Sequence, residues 1–164
     1  MKTVFVSVLA LLAVQLFAGV PVRAQATDEE MAWVTDQDDE FFYLAYTVPE
    51  SDHFAISFVC NLKDQKTFVV LHENEGQDVK PGDKFPMTLQ IGDAKTIIQA
   101  ETVFDDNENI LRTTAPIKPD DEIFLALNGV KPLEVTRANK TQSFPLTEVT
   151  DRLQEFQQGC GLKK

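Results

Sequence analysis

The chain has 164 residues, 43% of them apolar, and a formal charge of −11 with a pI near 4.5. Such a charge repels nucleic acid and anionic lipid headgroups, and the apolar content is too high for a disordered chain. With two cysteines, two histidines and seven glycines, the composition leaves no room for a zinc cluster or a dinucleotide cradle.

Taken in chain order, the first segment reads as a secretory leader. Lys2 is a short positive region, an apolar run extends from Val4 to Val22, and Ala24 and Ala26 form an A-x-A cleavage pattern. Residues 1–26 are therefore expected to be removed on export, which leaves 138 residues, one ordinary domain. Losing Lys2 and Arg23 with the leader takes the charge from −11 to −13. No later stretch reaches the ~20 apolar residues that a helical membrane span needs.

Residues 27–39 are acidic and are expected to form a loosely held lead-in, with Trp33 as its apolar plug. The domain proper is assigned to residues 40–160, with 161–164 as a tail. Phe41 to Val48 is aromatic and β-rich and is stopped by Pro49. Phe54, Ile56, Phe58 and Cys60 alternate along a strand that a polar turn joins to another over Phe68 to Leu71. Phe85 to Ile91 alternates too, and Gly92-Asp93 fits a II′ turn into a strand near Lys95 to Phe104. Pro86 suggests an edge or the start of its strand. Ile110 to Thr114 returns.

Lys118 to Gly129 reads as a short helix, with Pro119 and three acids in its first turn and Asn128-Gly129 as its stop. Leu133 to Thr136 is a brief strand. Leu146, Val149, Leu153, Phe156 and Cys160 then follow 3, 4, 3, 4 spacing, the stripe of an amphipathic helix. Thr147 is its candidate cap, and Glu148 and Arg152 a candidate i, i+4 pair on its wet face.

Cys60 and Cys160 each continue an apolar face, one on a strand and one on the helix, so both should point inward. In an exported chain an even count points to a disulfide. Closing the 100-residue span between them would contribute about 4.7 kcal/mol by loop-closure entropy. The predicted fold is α+β: an antiparallel, sandwich-like sheet with a short helix and a C-terminal helix disulfide-linked to a strand.

The strand Phe-Ala-Ile-Ser-Phe-Val-Cys at 54–60, the strand Phe68 to Leu71, Phe144-x-Leu146, and a helix ending at Cys160 resemble a group of small bacterial periplasmic two-cysteine proteins. The group includes proteins associated with type VI secretion and relatives of invasion-associated locus B proteins. Thr150 and Arg152 depart from the small residues usual in the closing helix of that group. The resemblance implies an envelope protein that binds or supports something, and it supplies no catalytic residue.

No catalytic motif stands out. His53 and His72 lie beside strands, outside any metal spacing, and read as solvent-facing strand-end residues. Ser51, Ser57 and Ser143 leave a triad open by composition, but there is no Gly-x-Ser-x-Gly elbow. Asp105 to Asn109 offers oxygen ligands without the order of an EF-hand and reads as a polar turn rather than a calcium loop. Asn139-Lys140-Thr141 matches a glycosylation sequon, meaningful only in a eukaryotic secretory route.

The functional expectation is a periplasmic or secreted, non-catalytic binding or accessory protein without cofactor or metal, partnered by another envelope protein. The alternative is an acidic inhibitor of a cationic envelope enzyme such as a lysozyme, since opposite charge speeds encounter. The acidic loops 73–78 and 105–109 are the exposed candidates for contact.

Overall fold

The computed structural model describes residues 30–51, 53–72, 79–106 and 109–162. The expected leader and the acidic loop 73–78 lie outside the described residues. Nine strands form one antiparallel sheet. They are β1 (Ala32–Gln37), β2 (Phe41–Thr47), β3 (Phe54–Asn61), β4 (Thr67–Leu71), β5 (Lys84–Ile91), β6 (Ala94–Asp105), β7 (Ile110–Ile117), β8 (Leu133–Arg137) and β9 (Lys140–Phe144). Helix α1 (Glu122–Ala126) lies between β7 and β8, and α2 (Val149–Gly159) follows β9. The spatial order is β1-β2-β3-β4-β7-β6-β5-β8-β9.

The sheet curls into a half-barrel whose inner face holds the core. Leu44, Ile56, Phe58, Val69, Leu71, Met87, Leu89, Leu133 and Val135 line it. Leu153 and Phe156 of α2 and Ile123 and Phe124 of α1 plug it. Their rings interlock: Phe58 meets Phe124 at 5.5 Å between centroids, Phe124 meets Phe156 at 6.2 Å, and Phe156 meets Phe42 at 6.1 Å. The antiparallel α+β architecture expected from the sequence is thus present, built as one continuous sheet.

The lead-in differs from expectation. From Ala32 onward it is strand β1, paired along its whole length with β2. Trp33 is 4% exposed, so the plug reading holds. Its indole Nε1 donates to Pro145 O at 2.7 Å, tying the first strand to the segment just after the last. Strand β9 is also additional to the sequence reading. Its hairpin turn places Ala138 and Asn139 at φ 45° and 68°, so the sequon Asn139 sits at an exposed tip. Gly92 has φ 60°, as a II′ turn requires of its first residue.

Pro86 stands in a central strand, not at an edge, and is tolerated because the pairing with β8 begins one residue later at Met87. The N-cap of helix α2 is Glu148, in a left-handed conformation with no side-chain cap bond, rather than Thr147. Arg152 pairs with Glu155, one helical turn on, instead of Glu148. Glu155 also accepts from Thr35 on β1, which draws its charge toward that edge.

Cys60 and Cys160 meet as expected from their apolar faces, both fully enclosed. They are nevertheless two free thiols, so the expected strand-to-helix disulfide is not a bond in this structure. Burial pushes both thiols up, Cys160 further because Cys60 hydrogen-bonds and sits beside it. The thiolate is the species that oxidises, and this environment suppresses it.

Two measurements check this packing. Replacing Trp33 by Phe keeps most of the ring but removes the bond to Pro145 O, with an expected loss of about 1 kcal/mol. Replacing it by Ala should remove about 3–5 kcal/mol. Urea denaturation followed by far-UV circular dichroism reads both, because Trp33 is the sole tryptophan and fluorescence would vanish with it. The thiols of native protein kept under reductant should alkylate at least about tenfold more slowly than those of urea-unfolded protein.

Candidate functional site

The half of the sheet formed by β1 to β4 has a second face, turned away from α2. Strand alternation and register place one row across it: Val34, Ala45, Ser57 and Val70, each directly opposite the next. The two middle members are small. Larger side chains stand beside them, with Tyr43 on one side and Phe54, His72 and Arg112 on the other. Small residues flanked by large ones leave a hollow of about 600 Å³ in the sheet surface. The register shift between Tyr46 and Thr47 helps shape it, since it pairs Thr47 with Phe54.

The floor is closed to solvent although no helix covers it: Ala45 and Ser57 are 2% exposed and Thr47 is 3% exposed. Ser57 Oγ lies 3.0 Å from His72 Nε2, and the imidazole packs on the Phe54 ring with centroids 5.2 Å apart. Thr47 gives its hydroxyl to His53 O at 2.7 Å, fixing the turn that carries Pro49, Glu50 and Ser51 over one side of the hollow.

Charge is distributed unevenly around the rim. Asp36, Asp38 and Glu50 stand on it, with Arg112 as a cation. Arg112 pairs with Asp105 at 2.9 Å, so part of the expected polar turn at 105–109 serves an ion pair instead of open contact. Residues 107 and 108 of that turn lie outside the described residues. Asp38 accepts backbone N–H bonds from Glu40 and Phe41, both at 2.7 Å, and these hold its carboxyl below the usual carboxylate range. Its other oxygen accepts from Tyr43 Oη at 2.9 Å. Burial, and then the bond to Asp38, push the Tyr43 phenol up to about 12.

His72 thus departs from the solvent-facing reading: it is half-buried and built into the hollow, whereas His53 is exposed as expected. The signal that would have found it is parity. Ser57 and His72 share a face only once Ser57 is known to sit opposite Val70, and that register is not written in either strand alone. Cys60 and Cys160, the residues singled out from the sequence, lie on the inner face and take no part in this site. Among the described residues, no group of three or more His, Cys, Asp or Glu is placed to hold a metal ion.

The Ser57–His72 pair has the spacing of a nucleophile and its base. Acyl transfer also needs backbone or side-chain donors aimed at a developing oxyanion. Ser57 is a mid-strand residue with β2 and β4 on either side, so the neighbouring amides are engaged in ladders rather than turned into the hollow. The pair is better suited to hydrogen-bonding a ligand than to attacking one.

Compared with known proteins, the chain matches no family model, no curated protein and no solved structure.

The raised phenol gives a direct check. Tyr43 should ionise near pH 12 in the native protein, against about 10 when unfolded. A raised folded pKa means that the native state holds its proton more tightly. The contribution to stability is therefore complete below about pH 10 and is lost as pH rises toward 12. Ultraviolet titration should show the Tyr43 transition moving down in Asp38→Asn while that of Tyr46, itself raised by burial, stays in place.

Proposed function

We propose that this chain is an exported, non-catalytic binding protein of the cell envelope, and that its outer-face hollow receives a small ligand with an apolar body and a neutral or cationic polar head. The hollow carries this reading. Its volume of about 600 Å³ falls within the ~300–1,000 Å³ of small-molecule sites. Its walls combine apolar area with a few fixed polar groups, the composition such sites share.

The chemistry of the lining narrows the ligand. Val34, Pro49 and Phe54 offer apolar contact over the small floor residues, and the half-buried His72, whose Nε2 meets Ser57 Oγ, offers one hydrogen-bonding point. Three carboxylates on the rim against one guanidinium already paired with Asp105 disfavour an anionic head. An amine or an uncharged donor meets no such penalty. Export is supported by the leader pattern in residues 1–26. The resemblance to two-cysteine periplasmic proteins points to the same compartment.

Amide shifts in a nitrogen-labelled NMR spectrum test the reading. The protein is titrated with a set of small aryl-alkyl amines and their carboxylic acid analogues. Shifts confined to Val34, Ala45, Ser57 and His72, with amines ahead of acids, are the expected result. Ala45→Leu should fill the hollow and abolish those shifts, with a stability change of no more than about 1–3 kcal/mol. If no compound in either set moves these amides at millimolar concentration, the hollow is not a ligand site.

A further inference from the structure

The outer-face hollow has two unlike ends. Its length runs along β2, from the β1–β2 hairpin to the turn after Thr47. At the hairpin end Asp36 lies directly opposite Tyr43. At the far end Thr47 pairs with Phe54, His72 N donates to Ala55 O, and Arg112 stands next to Thr113, the partner of Leu71. From the level of Tyr43 to that of Thr47 is about 13 Å of strand.

Charge divides along the same axis. The hairpin end carries Asp36 and Asp38. The far end carries Glu50, but also Arg112, which Asp105 already holds. Tyr43 reports the difference. After burial and the bond to Asp38, the charges of Asp38 and Asp36 push its phenol up, each more than Arg112 pulls it down. The negative pole of the hollow is therefore the hairpin end.

The two acids at that pole are not equivalent. Asp38 is already engaged through both oxygens, one accepting from Glu40 N and Phe41 N and the other from Tyr43 Oη. Asp36 Oδ1 accepts from Gln37 N at 2.8 Å. No ion pair or second bond occupies Asp36 among the described residues. Strand alternation sets it on the outer face with Val34.

We propose that Asp36 is the specificity-determining residue of the hollow, and that the ligand is an elongated aryl-alkyl amine held in one orientation. Its ammonium sits on Asp36, its arm runs beside Val34, and its ring lies against Phe54 and Pro49. A hydrogen bond at the head takes up about 3 Å and apolar contact at the ring about 4 Å, which leaves roughly 6 Å for the molecule. A ring on a two- or three-carbon arm has that length. Turned around, the ammonium would meet Arg112 as well as Glu50, and the ring would lie among carboxylates. This orientation presupposes the ligand site proposed above and can fail without it.

The test is a titration of the full, nitrogen-labelled protein by NMR, with phenylpropylamine as probe and phenylpropanol as its uncharged control. At low salt the amine should bind about two- to fivefold tighter than the alcohol, the range of one exposed ion pair. Asp36→Asn should remove that advantage and leave the alcohol unchanged, a split that a merely structural role would not give. Glu50→Gln should preserve it. Intermolecular Overhauser contacts should join the ring protons of the probe to Phe54, and the methylene beside its nitrogen to Tyr43. The assignment is overturned if the amine has no advantage, if its advantage survives in Asp36→Asn, if Glu50→Gln removes it, or if the ring contacts fall on Tyr43; the hollow then remains a ligand site. If neither probe moves the amides of the hollow at millimolar concentration, both the orientation and the site are refuted.

Discussion

Trp33 ties the two ends of a nine-stranded sheet, its Nε1 donating to Pro145 O beyond the last strand and its ring packing against the core. An open antiparallel sheet of this width must twist, and a twisted sheet buries its apolar face only by curling around something. Here the contents are α2, α1 and a chain of aromatic rings. Trp33 stands where the curl closes, on Tyr46 at 5.4 Å and on Phe58 at 6.4 Å. Phe144, from the opposite edge strand, meets Tyr46 at 6.1 Å. The closure completes a core in which Cys60 and Cys160 are enclosed and burial pushes both thiols up.

Curling the inner face leaves the outer face to be shaped by side-chain size alone. Where Ala45 and Ser57 fall opposite each other, the surface sinks; where Tyr43, Phe54 and Arg112 stand, it rises. The hollow is thus a property of register. A one-residue slip of β3 against β2 would move Ser57 off this row and bring Phe58 to the outer face. Another hollow, lined by Ile97, Phe68 and Pro116, lies beyond the point where the β6–β7 pairing ends, at Glu101 and Thr114.

The sequence reading of the cysteines separates two questions that are easily merged. Apolar periodicity on a strand and on a helix correctly brings Cys60 and Cys160 together, because each occupies the buried stripe of its element. A bond is a separate matter: the two are free thiols, and burial pushes both up. Proximity came from pattern; that the two are free thiols is a finding of the structure. The strand β1 was obscured for a related reason. It is an edge strand set in an acidic stretch, with polar Thr35, Asp36 and Gln37 at its end, so its composition resembles a loop while Trp33 alone is buried.

The sequence by itself determined the strands from Phe41 to Thr136, the turn at Gly92 and the terminal amphipathic helix, because apolar period, turn chemistry and helix stripe are local properties. It determined the acidity of the chain and its lack of a recognisable catalytic motif. Only the tertiary structure decided which strands are neighbours, that Ser57 and His72 share one hollow, and that β6 pairs with β7 only from Glu101 to Asp105. Those outcomes depend on register and curl, which arise when distant strands compete for partners, and no single segment carries that information.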